Sequence, residues 1–84
     1  MSLMTNLALR IKEDRFRKGL SQSDYGDVYG VSRPTVALWE SDGPVLTAPG
    51  VRIAKALAVD EKEFQSIILE MAGLTKETPA EPEG

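Results

Sequence analysis

The residues from Ser21 to Ser41, SQSDYGDVYGVSRPTVALWES, constrain the fold of this chain more than any other stretch. They read as two short helices joined by a tight turn at Tyr29-Gly30-Val31. Ser21 can cap the first helix, and Asp24 three residues later completes a capping-box spacing. Gly30 falls where that helix must stop and the chain must reverse, a place for a left-handed backbone. Val31 then plugs the turn. Ser32 caps the second helix, and Pro34 sits in its first turn, where a missing N–H costs nothing. Tyr25 and Tyr29 are four residues apart, and Val36 and Trp39 three apart, so each helix has one apolar face to bury. Gly26 weakens a helix interior by about 1 kcal/mol relative to Ala, which implies that another helix crosses close to its backbone.

The flanking sequence supplies three more helices. The first is expected over Asn6 to Lys18, with Leu7, Ile11 and Phe16 on its apolar side and Gly19 ending it. Asp14 marks an edge expected to be exposed. After a loop from Asp42 to Ala48, marked by Gly43-Pro44, Thr47 caps a fourth helix whose core side is Val51, Ile53, Ala54 and Leu57. Asp60 caps a fifth, with Glu63 completing its capping box. Phe64, Ile67, Ile68 and Met71 follow helical spacing there, and Gly73-Leu74 is expected to end it. The first five residues read as a tag remnant and N-terminal arm, residues 6–74 as the domain, and residues 75–84 as a disordered acidic tail.

Taken in order, these pieces resemble the phage-repressor and Cro-type helix-turn-helix regulators, the XRE-like family. The residues carrying the resemblance are Ile11, Arg15, Gly19-Leu20-Ser21-Gln22, Gly26, Gly30-Val31-Ser32, Val36, Trp39-Glu40 and Ile53-Ala54-Lys55-Ala56-Leu57, within residues 7–72. The resemblance implies an all-α, five-helix, lambda-repressor-like domain in which helices 2 and 3 form the helix-turn-helix. It implies sequence-specific binding of double-stranded DNA by a transcriptional regulator, a repressor above all. The segment at about residues 32–41 would enter the major groove, and a homodimer would read an inverted-repeat operator. It also implies an ion pair between Arg15 and Glu40. The chain departs from the family in the 42–48 loop, which has Asp42 and no Lys or Arg where members often reach phosphates.

The outward face of the third helix then holds the candidate base readers. Arg33 can fork onto guanine O6 and N7, against the alternative of a solvated surface arginine. Thr35 can bond a base edge or a phosphate, or support the helix cap. Pro34 and Leu38 can meet thymine methyl groups, although Leu38 can also fold back on the fourth helix. Gln22, and secondarily Ser21, are candidates for a DNA phosphate at the start of the second helix. The stripe Phe64, Ile67, Ile68, Met71 is part core and part candidate dimer face.

Composition narrows the classes further. The net charge is −3, but three of the acids lie at Glu77, Glu81 and Glu83, so residues 1–76 are neutral. That is low for a nucleic-acid binder. Arg10, Lys12, Arg17 and Lys18 read as a solvated basic face that adds non-specific attraction to DNA. With neither Cys nor His, disulfides, thiolate chemistry and a structural zinc site are not expected. No cofactor or enzymatic constellation is apparent. There is no membrane-length apolar run and no signal-like start, so a cytoplasmic protein is expected. Two alternatives remain beside the regulator: a DNA-binding antitoxin with a toxin partner, and a protein-interaction adaptor that kept the fold without DNA binding.

Overall fold

A computed structural model describes residues 2–77, with side-chain surroundings through Gly73. Among the described residues there are five helices and no strand: α1 (Leu3–Lys18), α2 (Gln22–Tyr29), α3 (Arg33–Asp42), α4 (Ala48–Leu57) and α5 (Glu61–Glu77). None is long and apolar enough to cross a membrane.

Local chemistry sets most of the boundaries. The Ser21 hydroxyl accepts from the Asp24 N–H at 3.0 Å, Thr47 accepts from Gly50 N–H at 3.1 Å, and Asp60 accepts from Glu63 N–H at 2.8 Å. Each satisfies one of the donors that the first helical turn leaves without a partner. Gly19 and Gly30 end α1 and α2 with φ of 67° and 74°, the left-handed geometry in which a Cβ is strained. Ser32 stands at the cap position of α3 but makes no side-chain cap bond. Its hydroxyl lies 3.2 Å from the Thr35 hydroxyl instead.

Four expectations are corrected. α1 starts at Leu3, not Asn6, with Ser2 as its cap. Residues 3–5 are therefore helix rather than an arm, and Met4 is buried, lying against Gly43 just beyond α3. α5 continues through Gly73 and Leu74 to Glu77, so residues 75–77 are helical; the rest of the expected tail, residues 78–84, lies outside the described residues. Asp14 is buried, not exposed. Gly26 is not crossed by a distant helix: a Cβ there would lie 2.5 Å from the Val31 carbonyl oxygen. The turn itself folds onto the α2 backbone, and the Val31 N–H donates to the Gly26 carbonyl at 2.9 Å.

The core gathers one face from every helix: Met4, Leu7 and Ile11 from α1, Tyr25 from α2, Val36 and Trp39 from α3, Ile53 and Ala54 from α4, and Ile67 and Met71 from α5. Tyr29 bridges the aromatic side chains, 5.4 Å from the Tyr25 ring and 5.8 Å from Trp39 between centroids. These separations suit tilted and edge-on packing. Gly26→Ala should destabilise the domain by about 1–3 kcal/mol, the cost of a methyl group with no room, as measured by urea denaturation. An unchanged midpoint would show that the α2–α3 turn yields easily.

Candidate nucleic-acid interface

The pose of α3 is set by what holds its two ends. At the C-terminal half, Arg15 of α1 grips Glu40: Nε donates to Oε2 at 2.5 Å and Nη2 to Oε1 at 3.2 Å. The two side chains are 11% and 7% exposed. Arg15 also donates to the Leu20 carbonyl at 3.0 Å, which fixes the connection between α1 and α2. The guanidinium stacks over the exposed Phe16 ring, 4.6 Å from its centroid. Before its N-terminal end, Arg52 of α4 donates to the Tyr29 carbonyl, tying the end of α2 to α4 just ahead of the turn that leads into α3.

Asp14 adds a second tie between α1 and α2. Its carboxylate accepts from the Tyr25 hydroxyl at 2.7 Å, from Arg17 at 2.9 Å and from Lys18 at 3.0 Å. Burial pushes this carboxyl up, but the hydrogen bonds from Tyr25, Lys18 and Arg17, with the charge of Lys18, more than offset that and leave it below its ordinary value. The same burial and the bond to Asp14 push the Tyr25 hydroxyl well up. Two of the cations read as a free basic face, Arg17 and Lys18, thus partly neutralise an internal acid.

Arg10, read as another member of that face, is also structural. It forks onto Glu63 at 2.6 and 2.8 Å and donates to the Leu57 carbonyl at 3.2 Å. Glu63 in turn accepts from the Val59 N–H at 2.9 Å, one residue earlier than a capping box would place the return bond. One carboxylate therefore holds the α4–α5 corner against α1. No sequence spacing signals this, because the partners are 53 residues apart.

With Val36 and Trp39 buried, α3 turns Arg33, Pro34, Ala37, Leu38 and Ser41 outward. Arg33 is exposed and, among the described residues, has no hydrogen-bond or ion-pair partner. Leu38 is 60% exposed and does not fold under α4. Thr35 is half-buried, sharing its hydroxyl with Ser32. Ser21 is exposed at its cap. Gln22 is half-buried, and its amide donates to Glu40 at 3.3 Å, so at rest it braces the ion pair. Of the candidate dimer face, Ile67 and Met71 are taken up by the chain's own core and only Phe64 and Ile68 are half-exposed. A second copy cannot use the full stripe.

Compared with known proteins, the chain matches no family model, no curated protein and no solved structure. The chemistry of this face must therefore be read from its own residues. Its charges are sparse and mainly negative. Asp24, Asp27 and Asp42 are exposed and unpaired among the described residues, beside the cations Arg33 and Arg52, the latter spanning the α2–α3 turn. Beside Leu38 lies an open apolar cleft of about 340 Å³, lined by Val31, Thr35, Leu38, Trp39, Gly43, Val45, Thr47 and Pro49. Sequence reasoning missed this cleft. The signal available was the pair Val45-Leu46 in a loop that lacks basic residues.

Two tests follow. Glu40→Ala leaves Arg15 desolvated without its partner and should cost about 3–5 kcal/mol in chemical denaturation; a loss under 1 kcal/mol would show that the pair behaves as a surface bridge. The Glu63 carboxyl is held down to about 2, first by the Arg10 hydrogen bond and then by the Val59 N–H. A depressed carboxylate contributes stability above its unfolded value and loses it as pH falls through the folded one. Wild type should therefore lose stability between about pH 4.5 and 2, with a steeper slope than Glu63→Gln. Parallel pH profiles would refute the assignment.

Proposed function

We propose that this chain binds double-stranded DNA in a sequence-dependent way and regulates transcription, with α2, the turn and α3 acting as a lambda-repressor-like helix-turn-helix. The observation that carries this reading is the two-sided character of α3. One side, Val36 and Trp39, is buried, and the other offers an unpaired guanidinium at the first helical position. A helix held in this way can enter a major groove about 12 Å wide with its N-terminal residues on base edges.

In this reading Arg33 forks onto a guanine, and Pro34 and Leu38 touch thymine methyl groups. Thr35 exchanges its bond to Ser32 for a base or phosphate. Ser21 and Gln22 lie at the start of α2 beside a backbone phosphate, where the helix N–H groups favour an anion. Arg15 and Glu40 set the angle of α3 and touch no DNA. Two copies would recognise an inverted repeat with half-sites roughly 34–36 Å apart. Such a contact set is lean in phosphate-binding cations, so the salt dependence of affinity should be shallow for this class.

A second reading is favoured by a specific observation. The segment from Asp42 to Thr47 carries no cation where a DNA-backbone clamp would lie, and the Asp42 carboxylate is unpaired among the described residues. That surface suits a protein-interaction adaptor that keeps the fold without DNA binding. Fluorescence anisotropy with mixed genomic duplexes at low salt separates the two: binding supports the regulator, and its absence supports the adaptor.

Selection of bound sites from random duplex DNA tests the base-reading assignment. Wild type should enrich a guanine that Arg33→Ala no longer demands, a loss of about 1–3 kcal/mol of discrimination at that position alone. An identical site preference in the variant would remove Arg33 from the reading set.

A further inference from the structure

Two cations on the α2–α4 surface meet no carboxylate, and one of them is held in place. Among the described residues, α2, α3, α4 and the loops between them carry Arg33, Arg52 and Lys55. Lys55 stands 3.8 Å from a Glu61 carboxylate oxygen and 5.0 Å from the centroid of the Phe64 ring. On α1, Arg10, Arg15, Arg17 and Lys18 each meet an acid. Arg33 and Arg52 form no ion pair among the described residues. Arg33 is free to swing, whereas Nη2 of Arg52 donates to the Tyr29 carbonyl. That bond restrains an exposed guanidinium and leaves Nε and Nη1 without a partner among the described residues. A guanidinium carries five N–H donors in a rigid fork, so one can stay on the carbonyl while another edge takes an oxyanion.

The same bond places the charge. A Cβ on Gly30 would lie 4.0 Å from Arg52 Nη2, so the guanidinium sits against the α2–α3 turn, three residues ahead of Arg33. Three residues span at most about 11 Å, and the major groove is about 12 Å wide. With the first turn of α3 in the groove, a cation at this turn is within reach of the phosphates that border it.

We propose that Arg52 is the backbone clamp of this domain: with Nη2 held by Tyr29, its free edge donates to a DNA phosphate beside the groove that α3 enters. The proposal rests on the regulator reading. It supplies a phosphate contact that the 42–48 loop, without Lys or Arg, does not. A guanidinium already restrained by a carbonyl loses less freedom on binding than a loop lysine would. As a phosphate contact it adds affinity without sequence preference, which leaves base reading to Arg33.

The test is the salt dependence of affinity for wild type, Arg52→Gln and Arg52→Lys, on a duplex carrying the selected site and on mixed-sequence duplex. Arg52→Gln keeps an N–H donor but loses the charge. Its slope of log affinity against log salt should be shallower than wild type by about 0.9, with both duplexes weakened by the same factor and the base preference unchanged. Arg52→Lys should restore the slope. A wild-type slope in Arg52→Gln, a changed preference at one base, or an Arg52→Lys slope as shallow as that of Arg52→Gln would overturn the proposal. A wild-type slope together with lower stability in urea would reduce Arg52 to a support for the end of α2. A reading without variants covers a substituted chain that does not fold: the Arg52 Nε–H resonance of wild type should shift when duplex is added, and no shift would overturn the proposal. Wild type that binds no DNA removes the regulator reading and the clamp with it. Wild type that binds while Arg52→Gln matches it removes the clamp alone.

Discussion

The fork between Arg15 and Glu40 is the constraint on which the rest of this structure depends. It joins the last turn of α1 to the C-terminal half of α3, and through the Leu20 carbonyl and the Gln22 amide it also holds the entry to α2. A desolvated pair of this kind adds little net stability compared with apolar residues of the same volume, but it is costly to break. Its effect is therefore on geometry. It fixes where Trp39 enters the core, and Trp39 in turn decides which side of α3 faces outward. The aromatic row from Tyr25 through Tyr29 to Trp39 carries the same constraint across the α2–α3 turn.

Much of this was legible in the residues because it is local. Ser21, Thr47 and Asp60 act on N–H groups three residues away, and Gly19 and Gly30 act on their own backbone, so short spacings suffice to place them. The buried faces of α3 and α5 follow helical periodicity for the same reason. What was not legible depends on distant partners. Asp14 looks like a surface acid until Tyr25, Arg17 and Lys18 converge on it. Arg10 looks like one more solvated cation until α5 brings Glu63 alongside it. Gly26 announces a close approach without saying of what, and the answer is the turn immediately after it. Gly73, an expected stop, lies within α5 because a single glycine weakens a helix by about 1 kcal/mol without ending it.

The candidate site divides in the same way. The exposure of Arg33 and the burial of Val36 and Trp39 follow from spacing within one helix. The cleft does not, since it arises where the loop after α3 meets the start of α4. Its presence changes the character of the surface. Most cations of α1 are tied to internal carboxylates, so the α2–α3 unit and its turn are left with the Arg33 and Arg52 guanidiniums, the Asp24, Asp27 and Asp42 carboxylates and an apolar hollow beside Leu38. A surface of that kind favours selective contacts over strong non-specific electrostatic attraction.

The most direct test of the account is amide chemical-shift mapping of the isotope-labelled protein against short mixed-sequence duplex DNA at low salt. The account predicts perturbations centred on Arg33, Thr35 and Leu38 and at the start of α2, with the Trp39 indole N–H unmoved. A spectrum that does not change, or changes confined to α5, would contradict it.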